Sequence, residues 1–163
     1  MLTAIKEILQ KKVDQAAVLE EQHLGLQSAL YINPIHLLAV CQVLRETEGL
    51  YFDFLSNITA VDYHPENYFE VVYHLSSIPY QKELVLKVKL ENDRQQENLP
   101  ELPSVSSIWR TADWHEREAF DLMGIFFTEH PDLRRILLPD DWQGFPLRKD
   151  YVDPETYHNI PIK

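Results

Sequence analysis

Hydrophobic and polar positions along this chain follow two different periods, and the switches between them divide it into elements. Ala4, Ile5, Ile8 and Leu9 recur at helical spacing with Lys6, Glu7, Lys11 and Lys12 between them, which predicts a first surface helix that Thr3 would cap. The short apolar runs 16–19 and 26–32, with Gly25 between, predict two strands of a hairpin or meander. Asn33-Pro34 reads as a helix start, a capping side chain followed by a proline whose missing N–H breaks no helical bond. Leu37, Leu38, Val40, Cys41 and Leu44 give that helix a buried face, and Gly49 an end.

Period two then takes over. Residues 52–55 and 58–61 are apolar pieces around a polar turn at Ser56-Asn57. Runs 68–75 and 83–90 are β-branched and aromatic with clean alternation, as in antiparallel neighbours joined through Pro79. In the second of them Leu84, Leu86, Val88 and Leu90 face a core, while Val85, Lys87 and Lys89 face the other way, so the sheet has one wet side. Residues 91–103 lack periodicity and read as a solvated loop. From Trp109 the helical period returns until Gly124, and Pro131, Pro139, Gly144 and Pro146 then shape an extended, irregular stretch to Tyr151. The reading is an α+β fold: a mostly antiparallel sheet with helices packed on one face and an extended C-terminal segment. Residues 1–150 form one domain; 151–163 form a tail with too little apolar area to offset its ordering entropy, hence mobile without partners.

Composition narrows the functional classes. At 163 residues with 45% hydrophobic and 25% charged, the chain has enough material for a single core. No apolar run approaches the roughly 20 residues that span a bilayer, and the N-terminus lacks a signal peptide's apolar centre, so the chain is expected to stay in the compartment that made it. A net charge of −11 repels phosphate backbones and anionic lipid, which sets nucleic acid and membrane insertion aside. One cysteine, Cys41, cannot build a disulfide or a thiolate cluster, and four glycines without a phosphate-loop spacing leave no nucleotide site.

Candidate chemistry concentrates between Trp109 and Tyr151. His115-Glu116 begins like the HExxH zinc motif, but position 119 is alanine, so the second imidazole is missing and no metal site is expected. Glu116, Arg117, Glu118 and Asp121 read as a structural charge network, with Arg117 and Asp121 at pairing distance i,i+4. Acid–base use of Glu116 or Glu118, as in a small hydrolase, stays open and requires a pocket around a carboxyl of raised pKa. Arg134-Arg135 and Arg148-Lys149 place four of the fifteen basic residues in one short stretch of an acidic chain, alternating with acids and large apolar groups. Arginine beside aromatic rings is the usual anchor of a protein interface. The partner-interface candidates are therefore His130, Asp132, Arg134, Arg135, Trp142, Arg148, Lys149 and Asp150. If the chain is extended at Arg134-Arg135, the two side chains diverge, one serving the fold and the other a partner.

The same stretch carries a resemblance. Glu116-Arg117-Glu118, Phe120-Asp121, Gly124-Ile125, the run from His130 to Leu137, and then Asp141-Trp142, Gly144 and the run from Pro146 to Tyr151 resemble the thirty-kilodalton subunit, also called the C subunit, of respiratory complex I, the NADH:quinone oxidoreductase. A fainter similarity reaches back through residues 55–63 and 69–75. The resemblance implies a subunit without catalytic residue, flavin, iron–sulfur cluster or quinone of its own, those residing on partner subunits. It implies a scaffold on the cytoplasmic side of the membrane, docked through this stretch to the large quinone-site subunit of the peripheral arm. Related modules in membrane-bound hydrogenases, formate hydrogenlyase and quinone oxidoreductases that do not use NADH give the alternative. Many relatives continue past the point where this chain stops at Lys163, so contacts made through longer tails are not carried over.

Overall fold

The computed structural model describes residues 1–23, 27–95 and 98–162. Its centre is a five-stranded sheet in the order β1-β2-β5-β4-β3, formed by β1 (Val18–Gln22), β2 (Ala29–Ile32), β3 (Phe54–Tyr63), β4 (Tyr68–Ser77) and β5 (Lys82–Glu91). All neighbours pair antiparallel except β2 and β5, which run parallel and are joined by a crossover through α2 (Leu37–Glu46) and β3–β4. With α1 (Leu2–Lys12) and α3 (Ala112–Met123), α2 packs on one face of the sheet in a single apolar core. Leu84, Leu86, Val88 and Leu90 all point into it, each such side chain contributing about 1.5–3 kcal/mol by leaving water. The opposite face holds a small apolar set, Ala29, Val72 and Val85, beside the ion pair of buried Glu70 with half-buried Lys87 (2.9 Å).

Asn33 starts its helix as its sequence indicates: its side chain accepts the Ile35 N–H, and Pro34 opens a 3-10 turn, Pro34–His36, that runs into α2. Other boundaries differ. Met1 occupies the N-cap of α1, and Thr3, one residue inside the helix, donates to the Glu21 carboxylate at 3.4 Å. Helix α2 ends at Glu46 with Thr47 as its cap, and Gly49, at φ +82°, makes the turn that follows. Gly25 lies outside the described residues. Ser56-Asn57 is a bulge within one continuous strand: Leu55 and Ile58, three apart, share a face only because the register slips between Leu55 and Asn57. The reading of 91–103 as loop misses β6 (Glu101–Pro103), which pairs parallel with β7 (Phe126–Thr128) at the far end of α3. Three residues are too few to show a period. The tail holds a two-rung hairpin, β8 (Thr156–Tyr157) with β9 (Ile160–Pro161).

Candidate functional site

Helix α3 is the shelf on which the candidate stretch is laid. Its inner side carries Ala112, Ala119 and Met123 into the core and, with them, Glu116, which has no exposed surface. The Glu116 carboxyl accepts from the Ser104 hydroxyl (2.6 Å) and the Val105 N–H (2.8 Å), anchoring the helix to the segment that follows β6. Burial pushes its pKa up to about 7 against those two bonds. Beside it lies the ring of His130, whose side chain is fully enclosed, with Nε2 3.8 Å from Glu116 Oε2. Nδ1 accepts the Asp132 N–H (3.0 Å), so in the neutral ring Nε2 carries the hydrogen and donates to the Asp113 carbonyl (3.1 Å). His130 is a post inside the fold.

The opposite rim of α3 binds main chain. Asp121 accepts the N–H groups of Ile136 (3.0 Å), Leu137 (2.7 Å) and Leu138 (3.0 Å), and pairs with the Arg135 guanidinium at 2.8 Å. Burial works to raise its pKa, but these donors hold it below the usual carboxylate range. Arg117, expected to pair with Asp121, instead donates to the carbonyls of Arg134 (3.2 Å) and Arg135 (3.5 Å) and lies 5.0 Å from the Trp114 ring centre. The i,i+4 pairing loses because the stretch 134–138 wedges against that side of the helix and offers each group nearer partners. Arg135 points inward, its second amine donating to the carbonyls of Trp142 and Gly144 (both 3.2 Å). Arg134 points out, 70% exposed, with Asp132 at 3.0 Å.

A strap then crosses the end of α3. The helix stops because Gly124 turns left-handed (φ +68°), and no basic residue sits in its last turn to meet the free carbonyls. Arg148 does so from afar, donating to Met123 O (2.8 Å) and Gly124 O (3.2 Å) between the rings of Phe69 and Phe145. A Cβ on Gly124 would sit 2.6 Å from both the Arg148 guanidinium and Phe145, so only glycine admits this cap. Burial lowers the Arg148 pKa. Next along the strap, the Lys149 N–H donates to Asp62 (2.8 Å), itself gripped by Arg94 at 2.6 and 2.9 Å, and Arg94 reaches Asp150 at 3.4 Å. Trp142 donates to the Tyr151 hydroxyl (3.1 Å) and packs against Tyr157, while Asp141 holds Tyr157 (2.8 Å) and His158 (2.7 Å) of the tail hairpin.

Of the interface candidates, then, Asp132, Arg134, Lys149 and Asp150 present their side chains to solvent and Trp142 does so in part. His130, Arg135 and Arg148 instead turn inward in the free chain, the His130 ring enclosed, Arg148 buried and Arg135 half-buried, each engaged with carbonyls or carboxylates of its own chain. Glu118 is exposed and outside the network, on the solvent side of α3. Acid–base use of Glu116 fails on access, since the raised pKa belongs to a carboxyl that no substrate can reach. Sequence reasoning missed Ser104, Asp62 and Arg94, whose partners lie 12 to 87 residues away, and Trp114, an exposed aromatic above Arg117. Only Trp114 carried a signal, its phase on the outer side of the helix. Among the described residues no group of three His, Cys, Asp or Glu side chains is placed to hold a metal, and no helix is long and apolar enough to cross a membrane. Cys41 is buried and burial raises its thiol pKa.

Comparison with known proteins identifies the family. A family described as the 30 Kd subunit of respiratory-chain NADH dehydrogenase matches residues 30–157. The C subunit of the NADH-quinone oxidoreductase of Moorella thermoacetica is 50% identical over 123 residues, covering 76% of this chain and 78% of that protein. Its counterpart of the same name in Roseiflexus sp. is 42% identical over 151 residues, covering 85% and 84%. That of Chloroherpeton thalassium is 47% identical over 125 residues, of which this chain spans half the length (50%). A chain of the membrane-bound sulfane sulfur reductase, an archaeal respiratory membrane complex, shares the fold with a TM-score of 0.73 at 23% identity, over 93% of this chain and 85% of that one. Matched across 30–157 and by relatives at 42–50% identity, the chain belongs to the 30 kDa subunit family of respiratory-chain NADH dehydrogenase.

Proposed function

We propose that the chain is the thirty-kilodalton subunit of an NADH:quinone oxidoreductase, placed in the peripheral arm on the cytoplasmic side of the membrane, and that it acts as a scaffold. In this reading it holds no flavin, cluster or quinone and fixes the large quinone-site subunit relative to the cluster-bearing ones. The observation that carries it is the division of labour between Arg134 and Arg135. Asp121, Arg117 and Arg135 fasten the main chain of 134–138 to α3, and Arg134 is left outward on that rigid platform beside Asp132. An exposed pair of this kind adds about 0 to 1 kcal/mol to the free chain, whereas losing one member of a desolvated interface pair costs roughly 2 to 5 kcal/mol of affinity. Exposed Lys149 and Asp150 and half-buried Trp142 extend the proposed contact. The identities of 42–50% favour the NADH-linked complex over its hydrogenase-type relatives, and the fold likeness to the sulfane sulfur reductase chain serves both equally.

The test sets Arg134→Ala beside Arg135→Ala in a thermal melt and in recovery of the assembled complex with the quinone-site subunit. Arg134→Ala should melt within a few degrees of the parent and lose most of its incorporation, while Arg135→Ala should lower the melting temperature itself. Normal assembly of Arg134→Ala would remove the docking role.

A further inference from the structure

The sheet has two edges, and they are finished differently. Strand β1 is five residues long, slips register at Leu19 and presents Glu20 and Glu21. Short, bulged and charged edges are the means by which sheets discourage further pairing. Strand β3 is ten residues long, and its first eight, FLSNITAV, contain neither a charge nor a proline, although a quarter (25%) of the chain is charged. Its margins are tied down: the Leu55 carbonyl accepts from Thr111 (3.0 Å), and at the other end Asp62 takes the Lys149 N–H (2.8 Å). Between those ties, residues 57–61 pair with β4 alone, and no hydrogen bond from the other side reaches their backbone among the described residues. Thr59 and Val61 are exposed on the outer face. On the inner side Ile58, Ala60, Glu118, Leu122 and Leu147 frame a cleft of about 40 Å³ along the edge.

We propose that the free edge of β3, residues 57–61, is the docking strand for an extended segment of a partner subunit, which adds a sixth strand to the sheet. This rests on the reading of the chain as a docked subunit. Alternating N–H and C=O groups of an edge are met in full only by another extended backbone. The cleft limits the size of that segment's inward side chain, which sits small beside His115, Glu118, Leu122 and Leu147, while its neighbours lie over Thr59 and Val61. A second copy of this chain is the poorer occupant, since two molecules of net charge −11 repel. The edge also runs directly into exposed Lys149, so it is continuous with the docking residues already named.

Hydrogen exchange of the full chain, alone and in the complex purified in mild detergent, tests this. Alternate amides of 57–61 should exchange freely in the free chain and slow at least tenfold in the complex. The double variant Thr59→Lys/Val61→Lys, which sets charges on exposed positions, should melt with the parent and be recovered in the complex at least tenfold less. A complex that forms with these amides exchanging at the free rate, or with the folded double variant at parental yield, overturns the proposal while leaving the reading as a docked subunit intact. Failure of the parent to enter any complex removes both. Protection that appears with rising concentration of the chain alone, at doubled mass, identifies a second copy as occupant and overturns the partner strand.

Discussion

Glu116 sets the pH response of the fold. Its pKa is raised by burial from 4.5 to about 7, so the folded chain keeps a proton that the unfolded chain gives up. A raised folded pKa contributes stability that is complete below about pH 4.5 and lost as pH climbs through about 7, a span worth roughly 3 kcal/mol at about 1.4 kcal/mol per unit. Glu116→Gln keeps an acceptor for the Val105 N–H and removes the titration. Urea melts at pH 5 and pH 8 should therefore differ less for this variant than for the parent, with the variant the more stable at pH 8. Asp121 works with the opposite sign, its lowered pKa giving stability above the ordinary carboxylate range that disappears as pH falls through it. Asp121→Ala strands the Arg135 guanidinium and three N–H groups, and a loss of about 3–5 kcal/mol in a urea melt is expected. That these residues mattered was legible from their density. Their partners were not: a carboxylate that binds main chain fifteen residues on leaves no trace in side-chain spacing.

At the scale of elements, legibility followed the regularity of the pattern. Strands β4 and β5 place Phe69, Val71, Tyr73 and Leu75 and Leu84, Leu86, Val88 and Leu90 at every second position and were read almost to their ends, as was α3 to its glycine. Strand β3 was broken in two because its bulge resets the phase between Leu55 and Ile58. The tail hairpin, four residues in two rungs, gives no period to read, and it hangs on exposed bonds from Asp141 to Tyr157 and His158. Its attachment should therefore be independent of the core. Asp141→Ala is expected to speed proteolytic cutting within 152–162 while leaving the melting temperature within about 2 °C of the parent, since surface bonds of this kind add little to global stability. Cutting at an unchanged rate would show that the hairpin is held by something other than Asp141.

For the whole molecule, the apolar core and one-sided helix layer came from the sequence pattern, but the closing of the chain upon itself did not. Arg148, Asp62 and Arg94 join residues that lie far apart, and only the fold brings them within bonding distance. With Arg148, Asp62 and Arg94 engaged inside the fold, the free chain is expected to be colourless and to show no saturable calorimetric binding of NADH or flavin at micromolar concentration. Stoichiometric uptake of either would overturn the proposed scaffold role.

Asp121 grips the N–H groups of Ile136, Leu137 and Leu138, which every residue but proline possesses, and so it is indifferent to what those residues are. Leu137, 64% exposed at the centre of that grip, is free to change without loosening the backbone beneath it. The stretch is thus a fixed backbone mount with an exchangeable side chain. Under the docking role proposed above, a lineage, or a protein engineer, could change Leu137 to suit a drifting or foreign partner while Asp121 keeps the backbone beneath it constant.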